Sequence, residues 1–406
     1  MSDTIIEVAK KFINNMSTNK NVVETGYPEI IIGAYYVAPT KHFLNLEYEK
    51  ISIERLLGQV NPVLSQAGNT MSISLVDEVE NIERALFNGD GTLTVKLPGG
   101  PLYEMVVLGV STTYGPITSI NIECVSKGTQ PTAEKNSRTF ENMLISDIVK
   151  QVIEGNKNWK VKEIEVTEPV KGPNGEEHMT FTQSNQSDYV FLKELAKIAK
   201  SAQTKTGDYT VILEDTTEGA LVSFVPKKVK EEKRVIQFSL WDVSNARSGE
   251  VLEFNPDLSQ MNLAIYYAHG SELSTEQPKD KVQTLESNKV KKEDRVGQDT
   301  LKVDTDNDYN KKRVESYFER ASNVVHNATI TLYGIDYSLS ILDVISIYAY
   351  RSDGSLHYSS GRYYISKIVN KIEMGKCTQE LELFRESTII KEAKKDGQSI
   401  RTDEQK

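Results

Sequence analysis

The chain has 406 residues, 38% hydrophobic and 26% charged, a balance that suits a folded protein too long for a single core and so divided into about two to four domains. Lysine and arginine total 48 against 58 acidic residues, and the net charge of -10 argues against tight binding to a phosphate backbone, which needs clustered cations. Two cysteines, Cys124 and Cys377, make neither a disulfide framework nor the repeated pairs of a zinc site, which fits synthesis in a reducing cytoplasm.

In chain order, Thr4 and Glu7 form a capping box, and Ile5, Ala9, Phe12, Ile13 and Met16 recur at helical spacing. A short amphipathic helix is predicted, joined by polar residues to the first strands; residues 1–28 read as a helix and arm. The start lacks the basic-then-apolar order of a secretory leader. The longest apolar run, Ile30 to Ala38, is shorter than the ~20 residues that span a bilayer, so no membrane anchoring is expected.

From Glu29 to Lys127 the pattern is strands: EIIIGAYYV, FLNLEYEKISIERLL, NTMSISLVDE, GTLTVKL, YEMVVLGVSTT and ITSINIECVS. Asn88-Gly89-Asp90-Gly91 and Pro98-Gly99-Gly100-Pro101 punctuate them. Gly89-Asp90-Gly91 is a tight turn rather than a nucleotide loop, because no third glycine and no helix come after it. A small barrel or sandwich over 29–130 is predicted.

Residues 131–230 change character. SRTFENMLISDIVKQVIEG and DYVFLKELAKIAKSAQ have helical spacing, with a charged turn at Lys171–Gly175 between them and Ser187 or Asp188 placed to cap the second helix. DYTVILE and ALVSFVP add a hairpin, giving a small α+β module.

Strands resume in RVIQFSLWD, VLEFNPDLS and MNLAIYYAHG. Ser271 to Asp308 is almost wholly polar and is predicted to carry no regular structure. A helix is expected in DYNKKRVESYFERASNVV. From Thr329 to Ser387 the chain reads as β structure built for close pairing, ending in a hairpin about the polar turn Asn370–Lys376. A second barrel over 231–388 and a charged tail over 389–406 complete the expected organisation. YEMVVLGVSTTYGPITSINIE and YYISKIVNKIEMGKCTQELELF form an internal repeat, each with an aromatic start, a turn glycine (Gly115, Gly375) and a threonine three residues on.

No chemistry stands out. The five histidines (His42, His178, His269, His326, His357) are scattered and fit no metal motif. There is no GxSxG elbow, and neither cysteine has a recognisable histidine context. Asp304, Asp306, Asp308 and Glu315 copy positions of a calcium loop, but Tyr309 stands where the sharp turn needs glycine. Acidic pairs are plentiful, yet none sits in a glycosidase motif. No catalytic, cofactor-binding or metal residue is predicted.

Three stretches, Gln183–Ala196, Asn327–Gly334 with Ile341–Ile345, and Gly361–Ile365 through Thr378–Arg385, resemble the tail-hub family of phages and contractile injection systems, which includes late-control D proteins and the hub half of type VI spike proteins. Gln183-Ser184-Asn185-Gln186-Ser187-Asp188-Tyr189-Val190-Phe191-Leu192-Lys193-Glu194-Leu195-Ala196 is similar to a segment of that family. So is the strand pair Asn327–Gly334 and Ile341–Ile345, although Leu342 stands where the family often has glycine. The third is the closing hairpin, Gly361–Ile365 through Thr378–Arg385. The resemblance implies a mainly β fold of two small tube-like β-barrels plus an α+β module. It implies a non-enzymatic homotrimer at a virion tail tip or baseplate, matching a threefold central spike protein to a sixfold ring of tail tube protein. Other baseplate proteins would surround it, DNA would pass through its lumen without specific binding, and no membrane or cofactor would be involved. Two alternatives remain: a cell-wall-degrading or carbohydrate-binding tail protein, and the hub of a bacterial contractile injection system.

Overall fold

The computed structural model describes residues 22–51, 69–77, 80–88, 91–128, 135–172, 177–204, 209–226, 232–240, 250–257, 265–268, 283–286, 298–301, 325–357 and 359–386. The expected N-terminal helix, the calcium-like loop, the helix in 308–325 except Val325, and the charged tail lie outside them. Among the described residues, no helix is long and apolar enough to cross a membrane.

The first lobe comprises Val22–Val23 (β1), Glu29–Ile32 (β2), Tyr35–Val37 (β3), Phe43–Ile51 (β4), Thr70–Val76 (β5), Thr92–Lys96 (β6), Leu102–Thr113 (β7) and Ser119–Ser126 (β8). Period-two sequence becomes period-two burial: Met71, Ile73 and Leu75 of β5 and Ile120, Ile122 and Cys124 of β8 all point into one core. EIIIGAYYV, expected as one strand, is a hairpin. Gly33 takes φ +57, and the chain turns so that Ile31 pairs with Tyr36. A short helix, Asn81–Asn88, separates β5 from β6; its Ile82 is buried and Asp77 Oδ2 accepts from the Glu83 N–H at 2.9 Å.

The α+β module holds Lys135–Phe140 (β9), a helix at Ile145–Glu154, Trp159–Ile164 (β10), Phe181–Ser187 (β11), a helix at Asp188–Ile198, Tyr209–Thr216 (β12) and Gly219–Pro226 (β13). Both helices fall where their periodicity predicted. The difference lies between and before them: Ser137 to Phe140, expected as helix, forms a strand paired with β11, and β10 and β11 lie on either side of the expected charged turn. Ser187 Oγ accepts from Val190 N–H at 3.3 Å as the N-cap, while the first helix borrows Thr167 Oγ1 for its Ser146 N–H at 3.1 Å. Phe140, Ile148, Val152, Phe191, Leu192, Leu195, Val222 and Phe224 share a core of their own.

The second lobe is built from Glu232–Ser239 (β14), Val251–Asp257 (β15), Val325–Tyr333 (β19), Ile335–Asp336 (β20), Val344–Tyr350 (β21), Gly361–Glu373 (β22) and Lys376–Glu386 (β23). Between β15 and β19, Ile265–Ala268 (β16) pairs with Gln283–Glu286 (β17) and Gln298–Leu301 (β18). These last two strands correct the expectation of no regular structure in 271–308. Cross-strand backbone pairing forms there without an apolar sequence period to announce it.

The fold is mainly β with an α+β insertion, as expected, and the two lobes share one curled sheet. Its path runs β15-β19-β23-β22-β4-β5-β8-β7-β6-β2-β3, with β21 beside β22 and β14 parallel to β21. The join is made by β22. Its first half, Gly361 to Tyr364, pairs with β21; beyond a bulge at Ser366, residues Lys367 to Glu373 pair with β4. The same hairpin therefore serves two cores: Tyr363, Ile365, Leu381 and Leu383 lie in the second, Ile372 and Cys377 in the first. Its turn is shorter than expected. Asn370 to Glu373 remain in the strand because Asn370 and Ile372 are buried, leaving Met374 (φ +46) and Gly375 (φ +85) as a two-residue turn of the primed type.

Ile372→Ala removes a fully buried side chain from the first core, and a loss of about 2–5 kcal/mol in urea unfolding is expected. Because the effect lands in the first lobe, thiol labelling of buried Cys124 under native conditions should rise with it.

Candidate assembly surface

The stretches that suggested the tail-hub resemblance do structural work. In the first, Asp188 is 2% exposed and its carboxylate accepts from Gln183 Nε2 (2.8 Å), Asn136 Nδ2 (3.0 Å) and Arg138 Nη2 (3.2 Å). The charge sits in the first turn of its helix, where the macrodipole also favours it. Phe191 stacks on Phe140 with centroids 5.6 Å apart. In the second stretch, Leu342 is buried yet takes φ +65, and Asp343 Oδ2 accepts from Ser340 N–H at 2.9 Å. The departure from glycine noted in the sequence is thus a leucine held in the left-handed region by its packing with Val344, Tyr364 and Phe384. The third stretch is the β22–β23 hairpin.

The three parts meet at two kinds of joint. β12 of the module reaches both lobes: Ile212 packs on the second lobe's outer cluster of Val344, Tyr364 and Phe384, and Asp215 enters the first lobe. There the Asp215 carboxylate accepts from Tyr48 Oη at 2.5 Å and Asn69 Nδ2 at 2.6 Å. Burial pushes its pKa up, and hydrogen bonds from Tyr48, Asn69 and Ser126 together with the Lys50 charge partly restore it. Burial likewise pushes Tyr48 well up and pulls Lys50 down. In the second lobe, where β20 pairs with β1 of the first, Arg234 is clamped by Asp336 at 2.8 Å and by Glu250, while Gln379 Nε2 donates to Asn370 Oδ1 at 2.9 Å and to the Asp336 carbonyl at 3.2 Å.

The outward face of the sheet is polar and runs across the join. Lys367 Nζ lies 2.8 Å from Glu49 and 3.7 Å from Glu382; Lys371 lies 2.9 Å from Glu380 and 4.0 Å from Glu47. Ser72 donates to Glu123 on the neighbouring strands. Burial opposes the Lys371 charge, but Glu380, Glu47 and Glu373 outweigh it and raise its pKa. Among these named side chains, glutamate predominates over lysine. A different surface appears at the β7–β8 hairpin tip, where Leu108 (59% exposed), Val110 (38%), Tyr114 (65%) and Ile117 (65%) stand out with Phe87 (79%) of the adjoining helix. Exposed apolar clusters of this sort mark contact surfaces.

Among the described residues no group of acidic, histidine or cysteine side chains is placed to hold a metal. His42 Nδ1 contacts the Val76 carbonyl at 2.8 Å and His357 Nδ1 contacts Ser359 Oγ at 2.6 Å, on separate elements. The side chains of His269 and His326 lie outside what is described. Cys124 and Cys377 are both buried, their thiols pushed up by burial to about 12 and about 11. Sequence reasoning missed the Asp215 joint, whose partners are far away along the chain. The apolar hairpin tip carried a signal: Leu108 and Val110 continue the apolar run past the bulge, onto residues the sheet leaves exposed.

These features define a β-rich protein built of joined lobes with polar and apolar contact faces. No family model matches the chain, and no curated protein matches it in sequence. Solved structures do match. The tail protein of Neisseria meningitidis aligns with a TM-score of 0.57 at 8% identity, covering 89% of this chain and 97% of that one. The 43 kDa tail protein of prophage MuSo2 from Shewanella oneidensis gives 0.53 at 12% identity, covering 89% and 96%. The chain has the fold of these two tail proteins over nearly their whole length.

Leu342→Gly relieves the left-handed backbone while Leu342→Ala does not, and both lose the same packing. Glycine should therefore be the milder change by about 1 kcal/mol in urea unfolding, the reverse of the usual order. Asp215 has a folded-state pKa raised above its ordinary 3.8, so the native state holds its proton more tightly and stability from this group falls as pH rises from that value through the folded pKa. Asp215→Asn keeps a carbonyl for Tyr48 and Asn69, and its stability relative to the parent should improve between about pH 4 and pH 7.

Proposed function

We propose that the chain is a structural hub protein of a phage tail tip or baseplate, a homotrimer that joins a sixfold tail tube to a threefold central spike and leaves a channel for DNA. The observation that carries this reading is the pair of curled-sheet lobes within one chain, joined edge to edge in one sheet, on a fold matched by solved phage tail proteins across 89% of the chain. Three copies would present six lobes, which reconciles the two symmetries without a second gene product. Among the described residues, the separate apolar cores of the first lobe, the module and the second lobe support division of the chain near residues 130 and 230, with the closing hairpin shared.

In this reading the polar sheet face, with Glu47, Glu49, Glu123, Glu380 and Glu382 around Lys367 and Lys371, lines the channel. A mainly acidic wall repels phosphates and lets DNA slide. The tail tube protein, the spike protein and other baseplate proteins are the partners; the role is non-enzymatic and needs no cofactor. Light scattering on the purified full chain, alone and with tail tube protein, tests this. A mass three times that of the chain and a complex with the tube protein are expected. A monomer at high concentration that binds neither tube nor spike protein overturns it, and clearing on a peptidoglycan zymogram points to an enzyme instead.

A further inference from the structure

The joint at Asp215 gathers an amine, an amide and a carboxyl whose chemistry goes beyond docking. On β4, Leu46 and Tyr48 face the first core, and the alternation of the strand puts Lys50 on the same side. On β5, Met71 and Ile73 face that core, and Asn69, 4% exposed, falls on the same side just ahead of the strand. Glu49 pairs with Thr70, so the next position of the antiparallel ladder sets Lys50 directly opposite Asn69. The Ser126 N–H donates to the Asn69 carbonyl at 3.0 Å, which keeps Asn69 in line with β8 on its other side. Residues opposed in this way have Cβ atoms about 5 Å apart, within the reach of a lysine side chain.

The carboxyl comes from the module. Asp215 Oδ2 accepts from Asn69 Nδ2 at 2.6 Å and from Tyr48 Oη at 2.5 Å, and Ser126 bonds to the same carboxylate. Lys50 Nζ lies 5.7 Å from the centroid of the Tyr48 ring. The surroundings are aromatic and apolar: Tyr103 packs on Tyr48, Met71 pairs with it, and Ile368 pairs with Lys50, each at most 2% exposed. Burial there favours an uncharged amine on Lys50 and an uncharged carboxyl on Asp215. Glu214 also acts on the Lys50 charge, but its carboxylate is engaged by Lys162 Nζ at 2.6 and 2.7 Å.

We propose that Lys50 Nζ and Asn69 Cγ join in an intramolecular isopeptide bond, with Asp215 as the proton carrier and one ammonia released. Passing one proton from the Lys50 ammonium to Asp215 leaves an amine nucleophile beside a carboxylic acid. Nζ adds to Cγ, the acid hands its proton to Nδ2, the Cγ–Nδ2 bond breaks and ammonia leaves. The carboxylate then takes the spare proton from Nζ, so Asp215 ends the step as the acid it was at the addition. One amide replaces another, and neither oxidant nor co-reactant is needed. The bond forms once, within a single chain, so it is self-processing without turnover and independent of the trimeric reading. It ties β4 to β5 at the end of the first core where the module docks.

Mass spectrometry of the purified full chain tests it. The denatured parent should be lighter than its sequence by one ammonia. Trypsin should fail to cut after Lys50, and a branched peptide should join residues 42–55 to residues 56–84. Lys50→Arg, Asn69→Ala and Asp215→Asn should each lack the branch and the mass loss, the last because an amide keeps an acceptor for Tyr48 but carries no exchangeable acid proton. A parent at the mass its sequence gives, with the two peptides separate, overturns the bond. Ammonia loss that persists in Lys50→Arg comes from another asparagine and overturns it too. Loss of water with Lys50 joined to Asp215 overturns the choice of acceptor, and a branch retained in Asp215→Asn removes Asp215 as the carrier. The peptide map of the parent decides on the bond even where a variant fails to fold.

Discussion

The edge that β22 offers to β4 is the constraint on which the rest of the structure depends. A strand has two edges, and β22 commits one of them from Tyr364 to Glu373 to β23 while dividing the other between β21 and β4. The bulge at Ser366 makes this division possible by bending the strand from one lobe into the next, with Ser366 Oγ bonded to the Glu382 carbonyl at 3.0 Å. Burial tracks the division: past the bulge Ile368 still faces the second core, while Ile372 and Cys377 at the tip face the first. Neither lobe has a complete apolar core without this hairpin.

Apolar and polar contacts divide the labour at the junctions. Ile212, Tyr364 and Phe384 contribute adhesion through area, since burial is worth roughly 25 cal/mol per Å² whatever the orientation. Asp215 with Tyr48 and Asn69, and Arg234 with Asp336, contribute little net stability once desolvation is counted, but they tolerate only one relative placement of their partners. The half-buried ladder of Lys367 and Lys371 adds little more, since desolvation and side-chain ordering offset much of each pair's attraction. Its value lies in keeping an outward face charged and free of self-association.

Local pattern made much of this legible in the sequence. Strands β5, β6, β7, β8, β19, β21, β22 and β23 were readable from period-two alternation, and the Ser187 cap from its place ahead of an apolar helical run. Where reading failed, the deciding term was non-local. Phe140 and Leu144 have helical spacing, yet pairing of β9 with β11 draws Phe140 into a strand. Gly33 turned an apparently continuous run into a hairpin, and the parallel pairing of β14 with β21 left no mark in either sequence. The joint at Asp215 joins residues 167 apart along the chain, and nothing near Asp215 distinguishes it from the neighbouring Glu214. The exposed tip at Leu108 and Val110 was visible only as surplus apolar residues, since their exposure depends on where β6 stops.

The shared hairpin also orders events during synthesis. Tyr27 meets the Met374 carbonyl across 347 residues of sequence, and β4 finds its second partner in a strand translated long after it. Until β22 and β23 leave the ribosome, the edge of β4 stays open and the first core lacks Ile372 and Cys377. Sheets completed by such distant partners fold slowly and expose sticky edges meanwhile. The nascent first lobe is therefore a natural client for chaperones that shield strand edges, and it matures only together with the second.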